Sequence, residues 1–241
     1  MSALFEELAG RVTPMGELSL RRRRDPALGV DLYEVKLGDE FLMSSLFTVA
    51  EVELARLGLA AAPAGELHVV VGGLGLGYTA RAVLDDPRVV RLTVIEALED
   101  VIAWHEQGLL PEVAGLADDP RVSLVHGDFF AMVRTRDDLD PDGDAGPPDA
   151  VLVDIDHSPR HHLDASHGGF YTPEGLACLA RHLQSAGVFA LWSDDPPDAA
   201  FQRDLRSAFA VAQAHVVRFP NPLTGGESAN TVYVAGQRRA Q

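Results

Sequence analysis

The chain has 241 residues, of which 46% are apolar and 23% charged, and this composition fits one folded α/β domain with a small appendage. Its formal net charge of −16 argues against nucleic acid as the main partner, because phosphate binding needs a basic surface. With no membrane-length apolar run, no recognisable secretion signal and a single cysteine, the sequence predicts a cytoplasmic protein without membrane contact or an internal disulfide.

The first part of the chain is predicted to be a small β-strand unit over residues 1–46. Residues 2–9 are predicted to form a short helix, and residues 17–24, 30–37 and 40–45 to form strands split by turn-forming Asp-Pro and Gly-Asp pairs. One of these strands carries the basic run Arg21–Arg24. Four residues are too few for a nucleic-acid surface, so we interpret the run as a solvated strand or a subunit contact.

The remainder, residues 47–241, is predicted to be one larger domain. Residues 47–60 have helical spacing, and from residue 66 short Val-, Leu- and Ile-rich runs alternate with helical stretches. This βαβ rhythm is typical of a Rossmann-like, mostly parallel sheet. The last two strands, AHVVRF and NTVYVA, have no helix between them, which predicts a C-terminal antiparallel hairpin. This ending differs from that of the usual dinucleotide-binding domain.

Two patterns resemble metal sites, but we predict no metal. Spacing in the acidic loop 137–149 is similar to that of a calcium loop, although a Pro-Pro pair and a strand follow where a helix would be needed. We therefore expect a solvated connection, formed in part by Asp138, Asp140, Asp142, Gly143 and Asp149. Four histidines occur in a second loop without a cysteine or an HExxH helix. They are predicted to be loop side chains, some of them in contact with the substrate: His157, His161, His162 and His167.

A glycine-rich turn follows the strand LHVVV and precedes a helix. It contains Gly72, Gly73, Gly75 and Gly77, which allow a sharp turn and a close approach of the backbone to a ligand. The helix N-terminus behind the turn favours polar or anionic ligand groups. Taken alone, this pattern fits a dinucleotide site, an adenosyl site or simply a tight strand-to-helix turn.

Three acidic residues follow the next strands and are predicted to meet the glycines at the carboxyl edge of the sheet. Glu96 ends the second strand, where a carboxylate can accept from both ribose hydroxyls of an NAD or an S-adenosyl compound. Asp128, after Gly127 in VHGDFF, can accept from the adenine amine, cap the next helix or do both. Asp154 ends the fourth strand, and acids on both the third and fourth strand ends favour an adenosyl-sulfonium compound.

In these segments the sequence resembles the spermidine synthase (polyamine aminopropyltransferase) family, within the class I S-adenosylmethionine-dependent methyltransferase fold. The resemblance covers roughly residues 30–236, and it is carried by VVVGGLGLGYTARAVL, LTVIEALEDVI, LADDPRVSLVHGDFF, AVLVDIDHSP, GGFYTPEGLACLARHLQSAGVFALW and VVRFPNPLTGG. It implies Glu96 on ribose, Asp128 near adenine and Asp154 at the reaction centre. It also implies a gatekeeper loop over residues 155–170 and a homodimer formed with help from the N-terminal strands.

The polyamine side of the family pattern differs here. The family's Asp-x-x-Asp-Pro motif reads DIDHSP, so that His157 takes the place of the second acid and Asp156 is displaced by one position. A glutamine near Leu42, a tyrosine within 47–52 and a tyrosine in the segment 219–222 are missing. We predict that the substrate is bound by Asp156, His157 and Tyr171.

The resemblance implies transfer of an aminopropyl group from decarboxylated S-adenosylmethionine to a small amine, with Asp154 as the catalytic group. A carboxylate stabilises the positive charge that moves from sulfur to nitrogen. An acidic pocket would also disfavour the carboxylate of ordinary S-adenosylmethionine. Three alternatives stay open: a small-molecule methyltransferase that uses S-adenosylmethionine, a non-catalytic adenosyl-binding protein, and a nicotinamide dehydrogenase.

Overall fold

The computed structural model describes residues 4–13, 16–135, 138–141 and 146–238, which form two sheets. The smaller sheet is antiparallel, with its strands in chain order: β1 (Phe5–Thr13), β2 (Gly16–Asp25), β3 (Val30–Leu37) and β4 (Glu40–Ser44). The last three confirm the predicted strands. Leu18, Leu20 and Val35 of this sheet belong to the same buried cluster as side chains of the large sheet. The division of the chain at residues 46 and 47 stays a prediction.

The predicted helix over residues 2–9 is wrong for the part that is described, because Phe5–Thr13 is strand β1. Its partner β2 places Glu6 opposite Arg22 and Glu7 opposite Arg21, and Arg22 Nη2 donates to Glu6 Oε2 at 2.8 Å. Pairing with a distant strand therefore overrides the local preference for helix. The same ladder explains the basic run, whose charges lie beside acids of β1 and β3.

The large sheet has seven strands in the order β10-β11-β9-β8-β5-β6-β7. The strands are β5 (Leu67–Gly72), β6 (Val89–Glu96), β7 (Val122–His126), β8 (Ala150–Val153), β9 (Val188–Ser193), β10 (Phe209–Asn221) and β11 (Gly226–Arg238). The helices are α1 (Val49–Ala61), α2 (Tyr78–Leu84), α3 (Glu99–Glu106), α4 (Phe129–Thr135), α5 (Pro173–His182) and α6 (Ala199–Ala208), and short 3₁₀ segments cover Pro111–Val113 and Ala165–Tyr171.

Strands β5 to β9 are parallel, and β11 runs antiparallel between β9 and β10. This arrangement confirms the predicted parallel sheet with a closing antiparallel hairpin. The chain reverses its direction across the sheet at β5, since β6 and β7 lie on one side and β8 and β9 on the other. In open α/β sheets, ligands bind at such a switch point, beyond the carboxyl ends of the strands.

Helices cover both faces of the large sheet. Along β5 the side chains alternate, with Val69 and Val71 in one apolar cluster and Val70 in the other. Leu54 of α1 contributes to the first cluster and Phe129 of α4 to the second. Within the described ranges, none of the helices combines the length and the apolar character needed to cross a lipid bilayer.

The acidic loop 137–149 is not entirely solvated as predicted. Asp140 is 2% exposed, and its Oδ1 accepts from Arg91 Nη2 and Thr93 Oγ1, both at 2.9 Å. An ion pair with a strand residue therefore fastens this loop to β6 at the edge opposite the predicted site. Asp142 and Gly143 of the calcium-like pattern lie outside the described residues.

Candidate active site

A cavity of about 770 Å³ lies at the carboxyl edge of the large sheet, within the size range of small-molecule sites. The ends of β5, β6 and β8 form its floor through Gly73, Glu96 and Asp154. Residues of β3 and β4, such as Val35 and Met43, form part of its wall. The small sheet therefore completes a pocket that the large sheet begins.

The glycine turn is held tightly in place at this edge. Gly73, Gly75 and Gly77 have φ values of +94°, +48° and +87°, which L-residues with a side chain rarely adopt. A Cβ on Gly73 would overlap the backbone carbonyl oxygen of Asp154, so the ends of β5 and β8 are in direct contact. His105 Nε2 lies 2.9 Å from the carbonyl oxygen of Gly75 and supports the turn from α3.

The predicted cofactor glycines fall into two groups. Gly73, Gly75 and Gly127 line the cavity, in agreement with a close approach to a ligand. Gly72 and Gly77 are buried outside its lining, where a Cβ would meet Phe129 and His105, respectively. Gly72 and Gly77 therefore make room for the packing of helices α4 and α3 against the turn.

Glu96 connects the glycine turn to the end of β6. Its carboxylate accepts from the backbone N–H groups of Leu74 and Leu98, each at 2.9 Å, and the residue is 9% exposed. Burial raises the pKa of the Glu96 carboxyl, and the backbone N–H donors oppose that shift. The backbone N–H groups of Gly75 and Ala97 also face this carboxylate and act in the same direction. Contact with ribose stays a prediction.

Asp128 caps helix α4, since its Oδ1 accepts from the backbone N–H of Ala131 at 3.0 Å. The side chain is exposed and lines the cavity next to Gly127. Both interpretations of this residue, the helix cap and the adenine contact, are therefore sterically compatible. The cap is observed, and the adenine contact stays a prediction.

Asp154 has a buried acidic neighbour that the sequence did not reveal. Its Oδ2 accepts from Thr79 Oγ1 at 2.7 Å. Glu51 of α1 is 8% exposed and lines the same cavity. Burial raises the pKa of both carboxyl groups, and the charge of Asp154 raises that of Glu51 further. The pair is therefore poised to take up a cation.

One sequence feature indicates a buried position for Glu51, although not its neighbour Asp154. In α1 it lies on the helix face that also carries Leu54, Ala55 and Gly58, which are all buried. A glutamate within an apolar helical stripe has to be paired or to face a cavity, since burying an isolated charge is costly.

We expect Glu51→Gln to stabilise the protein increasingly as the pH rises. A carboxyl group with a raised pKa in the folded state contributes full stability below its unfolded pKa, and this contribution is lost as the pH rises through the folded value. Glutamine cannot ionise, so the variant should gain about 2 kcal/mol in free energy of unfolding near pH 9 and much less near pH 5. Denaturant titrations at several pH values measure this.

The matched control is Glu53→Gln, because Glu53 lies two residues further along α1, is partly exposed and pairs with Arg56 at 2.6 Å. Its variant should show no such pH-dependent gain. An equal stability change in both variants at every pH would show that Glu51 is not held in an unfavourable ionised state.

Asp156 and Tyr171, two of the predicted substrate contacts, lie in the interior of the loop. Asp156 is 1% exposed. Its Oδ1 accepts from Leu163 N–H at 2.7 Å and from His167 Nδ1 at 2.8 Å. Its Oδ2 accepts from Tyr171 Oη at 2.9 Å. Neither Asp156 nor Tyr171 lines the cavity. Because its oxygens are already partnered, Asp156 serves to fold the loop, and this arrangement does not support a direct substrate contact by either residue.

His157, the third predicted contact, does line the cavity. Its Nε2 lies 3.1 Å from Glu40 Oε1 on β4, and its carbonyl oxygen accepts from Asp194 N–H at 2.7 Å. The loop is therefore attached to the small sheet on one side and to the end of β9 on the other. In the described part of the chain, no group of three or more acidic, histidine or cysteine side chains is arranged to hold a metal ion.

The lining of the cavity is strongly acidic. No lysine or arginine is present among the described residues that line it. Charge–charge interactions are strong in a partly buried site, so this wall favours cationic ligands over anionic ones. Six carboxylates line the cavity: Glu51, Glu96, Asp128, Asp154, Asp164 and Asp194.

Comparison with known proteins agrees with this geometry, although no family model matches the sequence. The polyamine aminopropyltransferase of Bacillus subtilis (strain 168) is 27% identical over 163 residues, which are 66% of this chain and 54% of that protein. The polyamine aminopropyltransferase of Mycobacterium tuberculosis (strain CDC 1551 / Oshkosh) is 32% identical over 161 residues, 63% of this chain and 28% of that protein. The chain is therefore similar in sequence to polyamine aminopropyltransferases. It spans little more than half the length of the first curated relatives that it matches.

Solved structures show that the similarity extends to the whole fold. The spermidine synthase from Thermotoga maritima superposes with a TM-score of 0.72 at 18% identity, covering 96% of this chain and 72% of that one. A spermidine synthase in complex with the transition state analogue AdoDATO gives the same TM-score at 19% identity, with coverages of 96% and 73%. The predicted methyltransferase-like fold and the predicted resemblance are both confirmed.

Proposed function

We propose that this protein transfers an aminopropyl group from decarboxylated S-adenosylmethionine to a small amine. The observation that carries the proposal is the acidic lining of the cavity, in which six carboxylates occur without a lysine or arginine among the described residues. Donor and acceptor are both cations in this reaction. The aminopropyltransferase relatives and the spermidine synthase fold support the same activity.

The donor's adenosine half fits the edge formed by β5, β6 and β7. The glycine turn leaves space for close approach, the Glu96 carboxylate lines the cavity where a ribose diol would lie, and Asp128 is exposed to accept from an adenine amine. These residues suit any adenosyl thioether or sulfonium. Discrimination between donors therefore has to come from the rest of the cavity.

The buried acids select the donor by charge. Ordinary S-adenosylmethionine carries a carboxylate, which would lie in a wall without a basic side chain to pair with it. Its decarboxylated form presents an ammonium group and a sulfonium, which Glu51 and Asp154 can neutralise. We therefore propose the decarboxylated compound as the donor.

Asp154 is the proposed catalytic group. The donor supplies an electrophilic carbon next to its sulfonium, and the acceptor nitrogen gains positive charge as the new bond forms. The Asp154 carboxylate, held by Thr79 at 2.7 Å, can stabilise that charge. His157 lines the same cavity and is the proposed contact to the distal part of the amine.

The test uses purified protein supplied with decarboxylated S-adenosylmethionine and a panel of mono-, di- and triamines. We expect release of methylthioadenosine with at least one amine, and binding of the decarboxylated donor at least about 10-fold tighter than that of S-adenosylmethionine by calorimetry. Absence of methylthioadenosine with every amine would refute the proposed activity. Methyl transfer with tight binding of S-adenosylmethionine would instead establish the methyltransferase alternative.

A homodimer and a cytoplasmic location are also part of the proposal. The small sheet leaves apolar side chains exposed on β1, with Phe5 at 51% and Val12 at 82%, and an exposed apolar strand favours pairing with a second chain. A mass of two chains by light scattering would agree with the homodimer, and the mass of a single chain would exclude it.

The proposed cytoplasmic location rests on the single cysteine, which suits a reducing compartment.

A further inference from the structure

His167 and Asp156 form a hydrogen-bonded pair at the wall of the cavity. His167 Nδ1 lies 2.8 Å from Asp156 Oδ1, and the carboxylate is fully buried. The imidazole is 13% exposed and lines the cavity from the 3₁₀ segment Ala165–Tyr171. An imidazole that faces a ligand cavity and is backed by a buried carboxylate has the arrangement of a general base with its orienting group.

The surroundings of the ring determine which nitrogen is available. Asp156 also accepts from Leu163 N–H and Tyr171 Oη, so its oxygens act as acceptors and Nδ1 of His167 has to carry the hydrogen. In the neutral ring, Nε2 is then the acceptor. No residue in the described part of the chain forms a hydrogen bond to Nε2. The ring packs on Phe130 with centroids 4.1 Å apart, which restricts its orientation.

The charged groups around this imidazole and along the cavity wall come from several elements. Asp156 and Asp164 come from its own loop, and Asp164 caps the 3₁₀ segment by accepting from Ser166 N–H at 2.8 Å. Helix α4 contributes the uncharged ring of Phe130 and, at its start, the cavity carboxylate of Asp128. The end of β8 contributes Asp154. All of these charged groups are acidic.

We propose that His167, oriented by Asp156, is the base that removes the proton of the acceptor amine; this inference rests on the proposed aminopropyl transfer. An alkylamine is protonated at neutral pH and has no lone pair for attack until it loses a proton. Asp154 is less suited to this step, because its Oδ2 already accepts from Thr79. The structure therefore separates the two tasks, with charge stabilisation at Asp154 and proton removal at His167.

Nε2 of His167 takes a proton from the ammonium group, and the freed lone pair on nitrogen attacks the carbon next to sulfur. The new C–N bond forms as the C–S bond breaks, and sulfur keeps the bonding electrons as a neutral thioether. The imidazolium, paired with Asp156, later returns its proton to water.

The test compares His167→Asn with wild type, using two kinds of acceptor. Asparagine can still donate a hydrogen bond to Asp156, so the loop keeps its support while the base is lost. With an alkyl diamine near neutral pH, we expect kcat/KM to fall about 10²-fold or more. With an alkoxyamine, which is already neutral at that pH, the fall should be less than about 5-fold, and the loss with the diamine should shrink as the pH rises.

The control is His162→Asn, since His162 is in the same loop but outside the cavity lining, with its Nε2 3.0 Å from the carbonyl oxygen of Pro159. It should leave both acceptors unaffected. An equal loss with both acceptors at every pH in His167→Asn would assign His167 a merely structural role and overturn the proposal.

A second measurement separates this inference from the proposed function. If wild type transfers nothing to any amine, the proposed activity fails, and ¹⁵N NMR of the imidazole then decides the question of the base. With methylthioadenosine bound, adding an alkyl diamine should shift the Nε2 resonance of His167 while Nδ1 stays protonated. An unchanged Nε2 resonance at saturating amine would overturn the assignment of His167.

Discussion

Asp154→Asn is expected to lower kcat/KM for aminopropyl transfer on the order of 10²- to 10³-fold. Asparagine has nearly the same shape, and its oxygen can still accept from Thr79, so the change removes the negative charge and little else. The positive charge that develops on the acceptor nitrogen would lose its nearest compensation. Steady-state rates of methylthioadenosine release measure the loss, and calorimetry separates it from weaker donor binding.

Thermal stability should not fall in the same variant, because burial raises the pKa of the Asp154 carboxyl and the removed charge was unfavourable to folding. Asp195→Asn is a suitable control. Asp195 lies on the same side of the molecule, pairs with His161 at 3.2 Å and does not line the cavity. If Asp154→Asn kept more than a tenth of wild-type activity, the reacting nitrogen would have to be stabilised by another group.

Gly73→Ala is expected to destabilise the fold by about 3 kcal/mol and to abolish donor binding. Two costs add up at this position. A φ of +94° disfavours any side chain, and the new methyl group would overlap the carbonyl oxygen of Asp154. Relief of the overlap has to separate the ends of β5 and β8, which together form the floor of the cavity. Denaturant unfolding measures the first effect and calorimetry with methylthioadenosine the second.

Gly65→Ala separates these two costs. Gly65 has a similar φ of +106° in the connection between α1 and β5, but an added Cβ would meet no atom within 4 Å. It should cost only about 1 kcal/mol and leave donor binding intact. A similar loss of stability in both variants would mean that the turn tolerates the displacement of Asp154.

The fold and the cofactor edge were largely accessible from the sequence. Buried parallel strands have a distinctive composition, and each of them ends where its apolar run ends. Since parallel strands place their carboxyl ends at one edge, Gly73, Glu96, Asp128 and Asp154 are predicted as neighbours before any coordinates are known. The wall of the cavity confirms that these four residues lie together.

The substrate side was predicted less well. Asp156 and Tyr171 were predicted to touch the substrate, yet their side chains bond to each other inside the loop. His167 was interpreted as one of four loop histidines of which some contact the substrate, and it lines the cavity. Loops have no repeating hydrophobic pattern, so the direction of each side chain depends on which partners the rest of the fold supplies.

The sequence by itself determined the order of strands and helices, the edge at which they meet and the acidic character of the chain. The order of the elements follows from the local hydrophobic periodicity, and the common edge follows from the geometry of parallel strands. The acidic character follows from composition. Only the tertiary structure decided that residues 5–13 pair as a strand, that Glu51 lies beside Asp154, and that Asp156 orients His167. Each of these depends on contacts between segments far apart in the chain, where burial and hydrogen bonding outweigh local preference.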